Sequence, residues 1–389
     1  MSVVSRGPWH CERPAVYLDH WVWVSMACAA KGRPEQPVHS RVLYACRQAA
    51  ADGVAFPLSS THYCELQRTK DPRQRYAVAD VMASISFCRT LRHRRDLVKH
   101  QMKTVFHEQV GRPTFRPAPQ KVLGRGVGWA MAGAELPLVV SGPGGFLTDA
   151  DVPRLSSWLR LASQYGEYCF LAGPKGEDHD EFRSRRYRPG VAEASSQSRV
   201  DFEKHQVTSL EAEPVSAREL RVYLVCSELV HEYLNPLNEV CAEYGISLGR
   251  HLGSDTNEPG AARAKMMAFA ESVPILRVAD DLKFGLFRDR NRTRTLSFLP
   301  MSTRSPSRRP YCRIVVPDAD TASRARQTKA ADALGTVVTA SLEELLDLSA
   351  RPRCGGSGLE SGPDRLGRRW AGHRVQHEDA AAVCSRSVW

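Results

Sequence analysis

The chain has 389 residues and lacks any long apolar run. Its most apolar window, 128–147, is interrupted by Glu135, Pro137 and Pro143, whereas a membrane-spanning helix needs about 18 apolar residues in succession. The N-terminus also lacks a charged segment followed by an apolar one, which is the pattern of a secretory leader. The sequence therefore predicts a protein that neither crosses a membrane nor is secreted.

Paired cysteines are lacking as well. The 11 cysteines are scattered along the chain, their number is odd, and no two of them form a Cys-x-x-Cys motif. A disulfide framework or a structural zinc site would need such pairs, so neither is expected. Reduced thiols indicate a cytoplasmic location, and most of these cysteines are expected to be small buried residues.

Acidic residues are missing from one stretch of the chain. Residues 293–317 contain no Asp or Glu, and eight arginines with a single acid, Asp289, give a charge of +7 between Arg288 and Arg313. Without this window the net charge of +11 falls to a mildly basic value. The total charge is therefore a poor indication of a general polyanion-binding surface.

What the sequence does contain is an alternation of apolar strand-like runs with helical patterns. Strands are predicted at 15–19, 54–58, 312–316 and 335–338, and helices at 21–30, 38–51, from Ser59, from Pro72, at 321–333 and at 342–348. Strands that are separated by helices imply an α/β fold, in which a parallel sheet is covered by helices on both faces.

The chain divides into four predicted parts. Residues 14–100 and 211–349 are the two halves of a core, with an aberrant basic segment at 291–313 in the second half. Residues 101–210 are a variable, helical and irregular insertion that includes a short helix near 152–165, and 350–389 are a disordered tail. In the second half, Ser216 and Glu219 have the spacing of a capping box, and a helical stretch over 261–287 is broken at Pro274.

Two acids occupy positions typical of a divalent-metal site. Asp19 ends the first predicted strand, and Glu65 lies on the helix that follows the second one. Acids at the carboxyl ends of parallel strands converge in the crevice where such sheets bind ligands. Clustered carboxylates hold Mg²⁺ or Mn²⁺ against a phosphodiester and activate a water molecule. The alternative is that Asp19 caps the helix beginning near Trp21 and that Glu65 is a solvated helix residue.

Longer motifs around these acids resemble a known family. Tyr-Leu-Asp before Trp-Val-Trp at 17–23, and Phe-Pro-Leu-Ser-Ser-Thr-His-Tyr-Cys-Glu-Leu at 56–66, resemble the large bacterial branch of PIN-domain-like proteins. Pro-Tyr-Cys-Arg-Ile-Val-Val at 310–316, followed by 334–337 and 342–348, is similar to the end of the same fold.

The resemblance implies a three-layer PIN-like core with a parallel central sheet and helices on both faces. It also implies a ribonuclease that uses Mg²⁺ or Mn²⁺ held by three or four acids. Asp19 matches the first acid of the family and Glu65 the second. Asp318 matches a position that often carries a further polar or acidic group, although a plain surface turn explains Asp318 equally well.

The chain departs from the family at the third acid. The family has Asp-x-Asp-Ala-Leu before the Pro-Tyr-Cys strand, whereas residues 299–309 are Leu-Pro-Met-Ser-Thr-Arg-Ser-Pro-Ser-Arg-Arg. If most third codon positions are G or C, translation from the third base of the Pro300 codon can produce Asp-Val-Asp-Ala-Leu-Ser-Val-Ala. Two compensating frame changes would thus explain both the missing acids and the arginines. The alternative is a genuine basic loop that contacts RNA phosphates.

Two functions of different classes follow. The first is a metal-dependent endoribonuclease with Asp19, Glu65 and Asp318 at its site. The second is a PIN-like module that has lost catalysis and binds nucleic acid or protein, because two carboxylates rarely hold Mg²⁺ well. The sequence leaves open the RNA target and whether a second copy of the chain or an inhibitor protein is a partner.

Three other motifs have plain structural interpretations. Asp280 and Asp281 are expected on an exposed helix face. His93, His100 and His107 recur every seven residues, and metal-binding histidines on a helix are usually three or four apart, so a solvated face is expected. The glycine-rich stretch 124–128 lacks the Gly-Lys-Ser/Thr of a phosphate loop and is predicted to be an ordinary loop.

Overall fold

A computed structural model describes residues 14–110, 121–135, 141–142, 145–146, 164–173, 189–213, 215–252, 258–288, 311–328 and 335–350. The helix expected near 152–165, the basic segment 291–313 and the tail 350–389 lie wholly or mostly outside these residues. The third-acid segment 299–309 is also outside them.

The first part of the chain alternates short strands and helices. Its elements are β1 (Val16–Leu18), α1 (His20–Ala30), α2 (Pro37–Ala51), α3 (Ser60–Arg68), α4 (Pro72–Ser86), β2 (Arg89–Leu91) and α5 (Arg94–Val110). The four helices predicted before residue 90 are confirmed. Local signals set their starts: Ser59 is the N-cap of α3, and the Asp71 carboxylate accepts the Arg73 N–H at 2.9 Å ahead of Pro72.

The predicted strand at 54–58 forms only in part. Two isolated parallel bridges, Ala15 with Ala55 and Leu58 with Thr90, replace a continuous ladder. Pro57 lies between the two bridges and has no N–H to donate, so a regular strand is interrupted there. The segment still lies beside β1, because the Val16 N–H donates to the Ala55 carbonyl at 2.8 Å.

Helices dominate the described residues between 121 and 350. The elements are β3 (Leu123–Arg125), α6 (Gly126–Ala132), β4 (Ser141–Gly142), β5 (Gly145–Phe146), α7 (164–172), α8 (Pro189–Ala212), α9 (Ala217–Glu232), α10 (Leu234–Tyr244), α11 (Leu248–Leu252), α12 (Pro259–Ser272), α13 (Pro274–Arg288), β6 (Ile314–Val316), α14 (Ala319–Gln327), β7 (Val337–Val338) and α15 (Leu342–Ala350). The Ser216–Glu219 capping box at α9 is confirmed, as is the break between α12 and α13 at Pro274. The stretch 124–128, predicted as a loop, instead ends β3 and begins α6.

The two ends of the chain pair in one parallel sheet. Its strand order is β1-β6-β7, with Leu18 in register with Val316 and Val315 in register with Val338. The parallel sheet predicted from the sequence is therefore confirmed, and the described residues, which are mostly helical around this small sheet, are compatible with the predicted α/β class. Two further pairs, β2 with β3 and β4 with β5, are antiparallel.

Both faces of the β1–β6 pair are buried. Leu18 and Val316 point into a cluster with side chains of α1, α2, α3 and α4. Tyr17 and Val315, the next residues along the same strands, belong to a second cluster with side chains of α5, α9, α10 and α12. Successive side chains of a strand point to opposite faces, so the alternation follows from strand geometry. Within the residues placed above, no helix is long and apolar enough to cross a membrane.

The prediction for Asp280 and Asp281 is wrong, because both are buried, with 5% and 6% of their surface exposed. They belong to a buried ion cluster between α8, α9 and α13, which consists of Glu203, Arg221, Glu228, Asp280, Asp281 and Lys283. Charged residues on one helix predict a solvent-exposed face only if no neighbouring helix supplies charged partners for them. His100 is also buried, contrary to the solvated face predicted for the three histidines.

The chemistry of the buried ion cluster centres on Lys283. Its Nζ pairs with a carboxylate oxygen of Glu228, and an oxygen of Glu203 lies 4.0 Å away. Arg221 pairs with Asp281 at 2.6 Å. Burial raises the pKa of Asp280 well above its usual value, and the neighbouring Glu228 and Asp281 add to the effect.

Candidate active site

Asp19 lies where the sequence predicts, at the carboxyl end of β1. The Asp19 N–H donates to the Val316 carbonyl at 3.0 Å, so β6 runs directly alongside. Asp318 follows the end of β6 by two residues. The parallel pairing thus places both acids at the same edge of the sheet, as strand-end acids in parallel sheets are expected to lie. Asp19 also occupies the N-cap position of α1, with extended backbone angles (φ −75°, ψ 167°).

Glu65 approaches the tip of β1 from α3. One of its carboxylate oxygens lies 4.0 Å from Nδ1 of His20, the residue directly after Asp19. The side chains of His20 and Glu65 are both about one-fifth exposed, at 21% and 23%. The structure therefore brings Glu65 next to the strand end that carries Asp19, and it adds His20, which the sequence analysis did not consider.

Asp318 serves as the N-cap of α14. One carboxylate oxygen accepts the Thr321 N–H at 2.9 Å and the other accepts the Thr321 hydroxyl at 2.8 Å. Both oxygens thus take part in holding the first turn of the helix. These hydrogen bonds make Asp318 the N-cap of a helix and not part of a plain surface turn.

A divalent cation needs several oxygen ligands at once. Within the described part of the chain, no three His, Cys, Asp or Glu side chains are grouped so that they could hold a metal ion. The segment expected to supply the third acid, 299–309, is outside that part. The described residues alone therefore do not fit a complete Mg²⁺ or Mn²⁺ site, and we assign no reaction step to a metal.

The residue that joins α3 to β1 was not predicted from the sequence. His62 is completely buried, and its Nε2 lies 3.0 Å from the Leu18 carbonyl and 2.9 Å from the Tyr17 hydroxyl. Its Nδ1 accepts the Ser59 N–H at 3.2 Å. The signal was present in the sequence, because residues three apart at a helix start have the spacing of a capping box, here with His in place of Glu or Gln.

The glycine-rich stretch 124–128 binds a carboxylate from another part of the same chain. The Val127 N–H at the start of α6 donates to Glu167 of α7 at 2.7 Å. Gly126 has a positive φ of 80°, and a Cβ built there would lie 2.0 Å from a Glu167 oxygen. Glycine is therefore required both by the backbone conformation and by the space. Burial raises the pKa of Glu167, and the hydrogen bond from Val127 opposes that effect.

Comparison of this chain with family models, curated proteins and solved structures finds no match.

Proposed function

We propose that this chain is a ribonuclease of the PIN-like type, which depends on Mg²⁺ or Mn²⁺ and hydrolyses phosphodiester bonds in RNA. The observation that supports the proposal most directly is the parallel pairing of β1 with β6. Asp19 lies half-buried at the end of β1 beside β6, and a carboxylate oxygen of Glu65 lies 4.0 Å from the ring of His20, the next residue. Helical clusters on both faces of this sheet are what a three-layer PIN-like core would require.

The proposed site assigns a separate role to each acid. Asp19 and Glu65 are the proposed metal ligands, and Asp318 holds α14 at the same edge through its two bonds to Thr321. The resemblance implies a third acid, which the chain would have only in the reading frame that restores Asp-x-Asp, and residues 299–309 lie outside the described part of the chain. RNA in the cytoplasm is the proposed substrate.

The test uses the purified full chain, Mn²⁺ titration calorimetry and cleavage of a labelled single-stranded RNA. We expect Asp19→Asn to abolish Mn²⁺-dependent cleavage and Glu65→Gln to weaken Mn²⁺ binding. Asp52→Asn is the matched control, because it removes an equal charge from an exposed position at the end of α2. Equal cleavage by the parent and by Asp19→Asn would remove Asp19 from the site.

A second candidate is a PIN-like module without catalysis that binds nucleic acid or a protein. Two observations favour it: both oxygens of Asp318 are engaged by Thr321, and the described residues contain no group of three metal donors. Micromolar Mn²⁺ binding that depends on both Asp19 and Glu65 would contradict this candidate. Absence of Mn²⁺ binding and of cleavage in the parent would support it.

A further inference from the structure

The peptide bond between Leu18 and Asp19 is held at both ends. Its carbonyl accepts the Trp23 indole N–H at 3.2 Å and lies 3.0 Å from His62 Nε2. Its N–H donates to the Val316 carbonyl at 3.0 Å. Three elements, α1, α3 and β6, therefore hold the peptide plane that carries Asp19.

The hydrogen bonds of the His62 ring determine which nitrogen carries the proton. Nδ1 accepts the Ser59 N–H at 3.2 Å, so the proton of the neutral ring lies on Nε2. Nε2 faces the Leu18 carbonyl, and a carbonyl oxygen can only accept, so His62 is the donor in this bond. The ring also stacks on Tyr17, with centroids 5.1 Å apart, which holds its orientation.

His62 also links Asp19 to Glu65. His62 and Glu65 are three residues apart on α3, so they lie on the same side of that helix. The bond from His62 to Leu18 therefore sets the position of α3 against the end of β1. Glu65 then reaches His20, the residue next to Asp19, at 4.0 Å.

We propose that His62 is a positioning residue for the candidate site. Its Nε2–H orients the Leu18–Asp19 peptide, and its place on α3 sets the separation between Asp19 and Glu65. The consequence for metal binding rests on the proposed function, whereas the orientation of the peptide can be measured without it. If His62 served only to cap α3, the single hydrogen bond it would need is the one in which Nδ1 accepts the Ser59 N–H.

Two substitutions separate these roles. In His62→Gln the side-chain amide reaches the place of Nε2 and can donate to Leu18, but it offers no acceptor at the place of Nδ1. In His62→Asn the shorter side chain keeps an acceptor for Ser59 and loses the donor to Leu18. Tyr17→Phe is the matched control, because it removes a neighbouring hydroxyl and leaves the bond between His62 and Leu18 in place.

The first measurement is hydrogen exchange of the Asp19 amide in the full chain, followed by NMR. We expect exchange to be about fivefold faster in His62→Asn, which corresponds to the loss of one hydrogen bond, and close to the parent rate in His62→Gln and Tyr17→Phe. Parent-like exchange in His62→Asn, or equally fast exchange in His62→Gln, would overturn the proposal. If neither variant folds, the ¹⁵N spectrum of the parent decides, because an Nδ1–H tautomer of His62 cannot donate to Leu18.

The Mn²⁺ affinity of the same variants tests whether the hydrogen bond from His62 to Leu18 affects the candidate site. We expect affinity to fall about fivefold in His62→Asn, in proportion to the lost bond, and to be retained in His62→Gln. Equal affinity of these two variants, in a parent that binds Mn²⁺, would overturn the positioning role. If the parent binds no Mn²⁺, the proposed function fails, while the exchange rates still decide whether His62 orients the peptide.

Discussion

Replacing Lys283 by Met should strongly destabilise the fold. Lys283 is 3% exposed and pairs with Glu228, and Glu203 lies 4.0 Å away. Met fills nearly the same volume as the lysine stem, so the change removes a charge without opening a cavity. The buried carboxylates then lose their cation, which typically costs about 3–5 kcal/mol when one partner of a buried pair is removed.

The assay is urea unfolding followed by circular dichroism near neutral pH. Lys103→Met is the matched control, because Lys103 pairs with Glu243 on the surface and such exposed pairs contribute about 0–1 kcal/mol. The double variant Lys283→Met/Glu228→Gln should recover much of the loss, since it also removes the carboxylate left without its partner. A loss in Lys283→Met no larger than in the control, or a double variant no more stable than the single one, would refute this reasoning.

Three further predictions concern other parts of the chain. Gly126→Ala should lower the free energy of unfolding by about 1–3 kcal/mol, because it combines a positive φ with a clash against Glu167, whereas Gly166→Ala, with no atom within 4 Å of the added Cβ, should not destabilise. Asp280 has a raised folded pKa, so its contribution to stability is present at low pH and is lost as pH rises through that pKa. Asp280→Asn should therefore be more stable than the parent near neutral pH and lose this advantage as the pH falls to the ordinary Asp pKa of about 3.9; an advantage that grows at low pH would contradict the sign. Resequencing the DNA across codons 290–318 should restore Asp-x-Asp, and an unchanged sequence would favour the binding module without catalysis.

Local signals explain which helices the sequence predicted well. Ser216 with Glu219, and Pro274 between α12 and α13, act through backbone groups within a few residues of themselves. Such signals need no knowledge of distant parts of the chain. The strand predicted at 54–58 forms only in part for an equally local reason, because Pro57 has no N–H to donate to a strand ladder.

The buried ion cluster shows that the pattern of polar residues along one helix does not by itself predict which of them are exposed. Asp280 and Asp281 have the polarity of a solvated helix face, and the sequence of α13 alone contains nothing that contradicts it. Their burial depends on Arg221, which α9 brings from about sixty residues earlier to pair with Asp281 and whose charge also favours the ionised form of Asp280. Charge partners so distant along the chain are a property of helix packing.

By itself, the sequence determined an alternation of strands and helices, the starts of the four helices before residue 90 and the position of Asp19 at a strand end, because these depend on the spacing of neighbouring residues. Only the tertiary structure decided that β6 is the neighbour of β1, that Asp318 caps α14, and that His62 joins α3 to the Leu18 carbonyl. These contacts join residues that are far apart in sequence or depend on side-chain direction. The physical reason is that hydrophobic burial on both faces of the sheet selects the strand partners, and the polar contacts at its edge then follow.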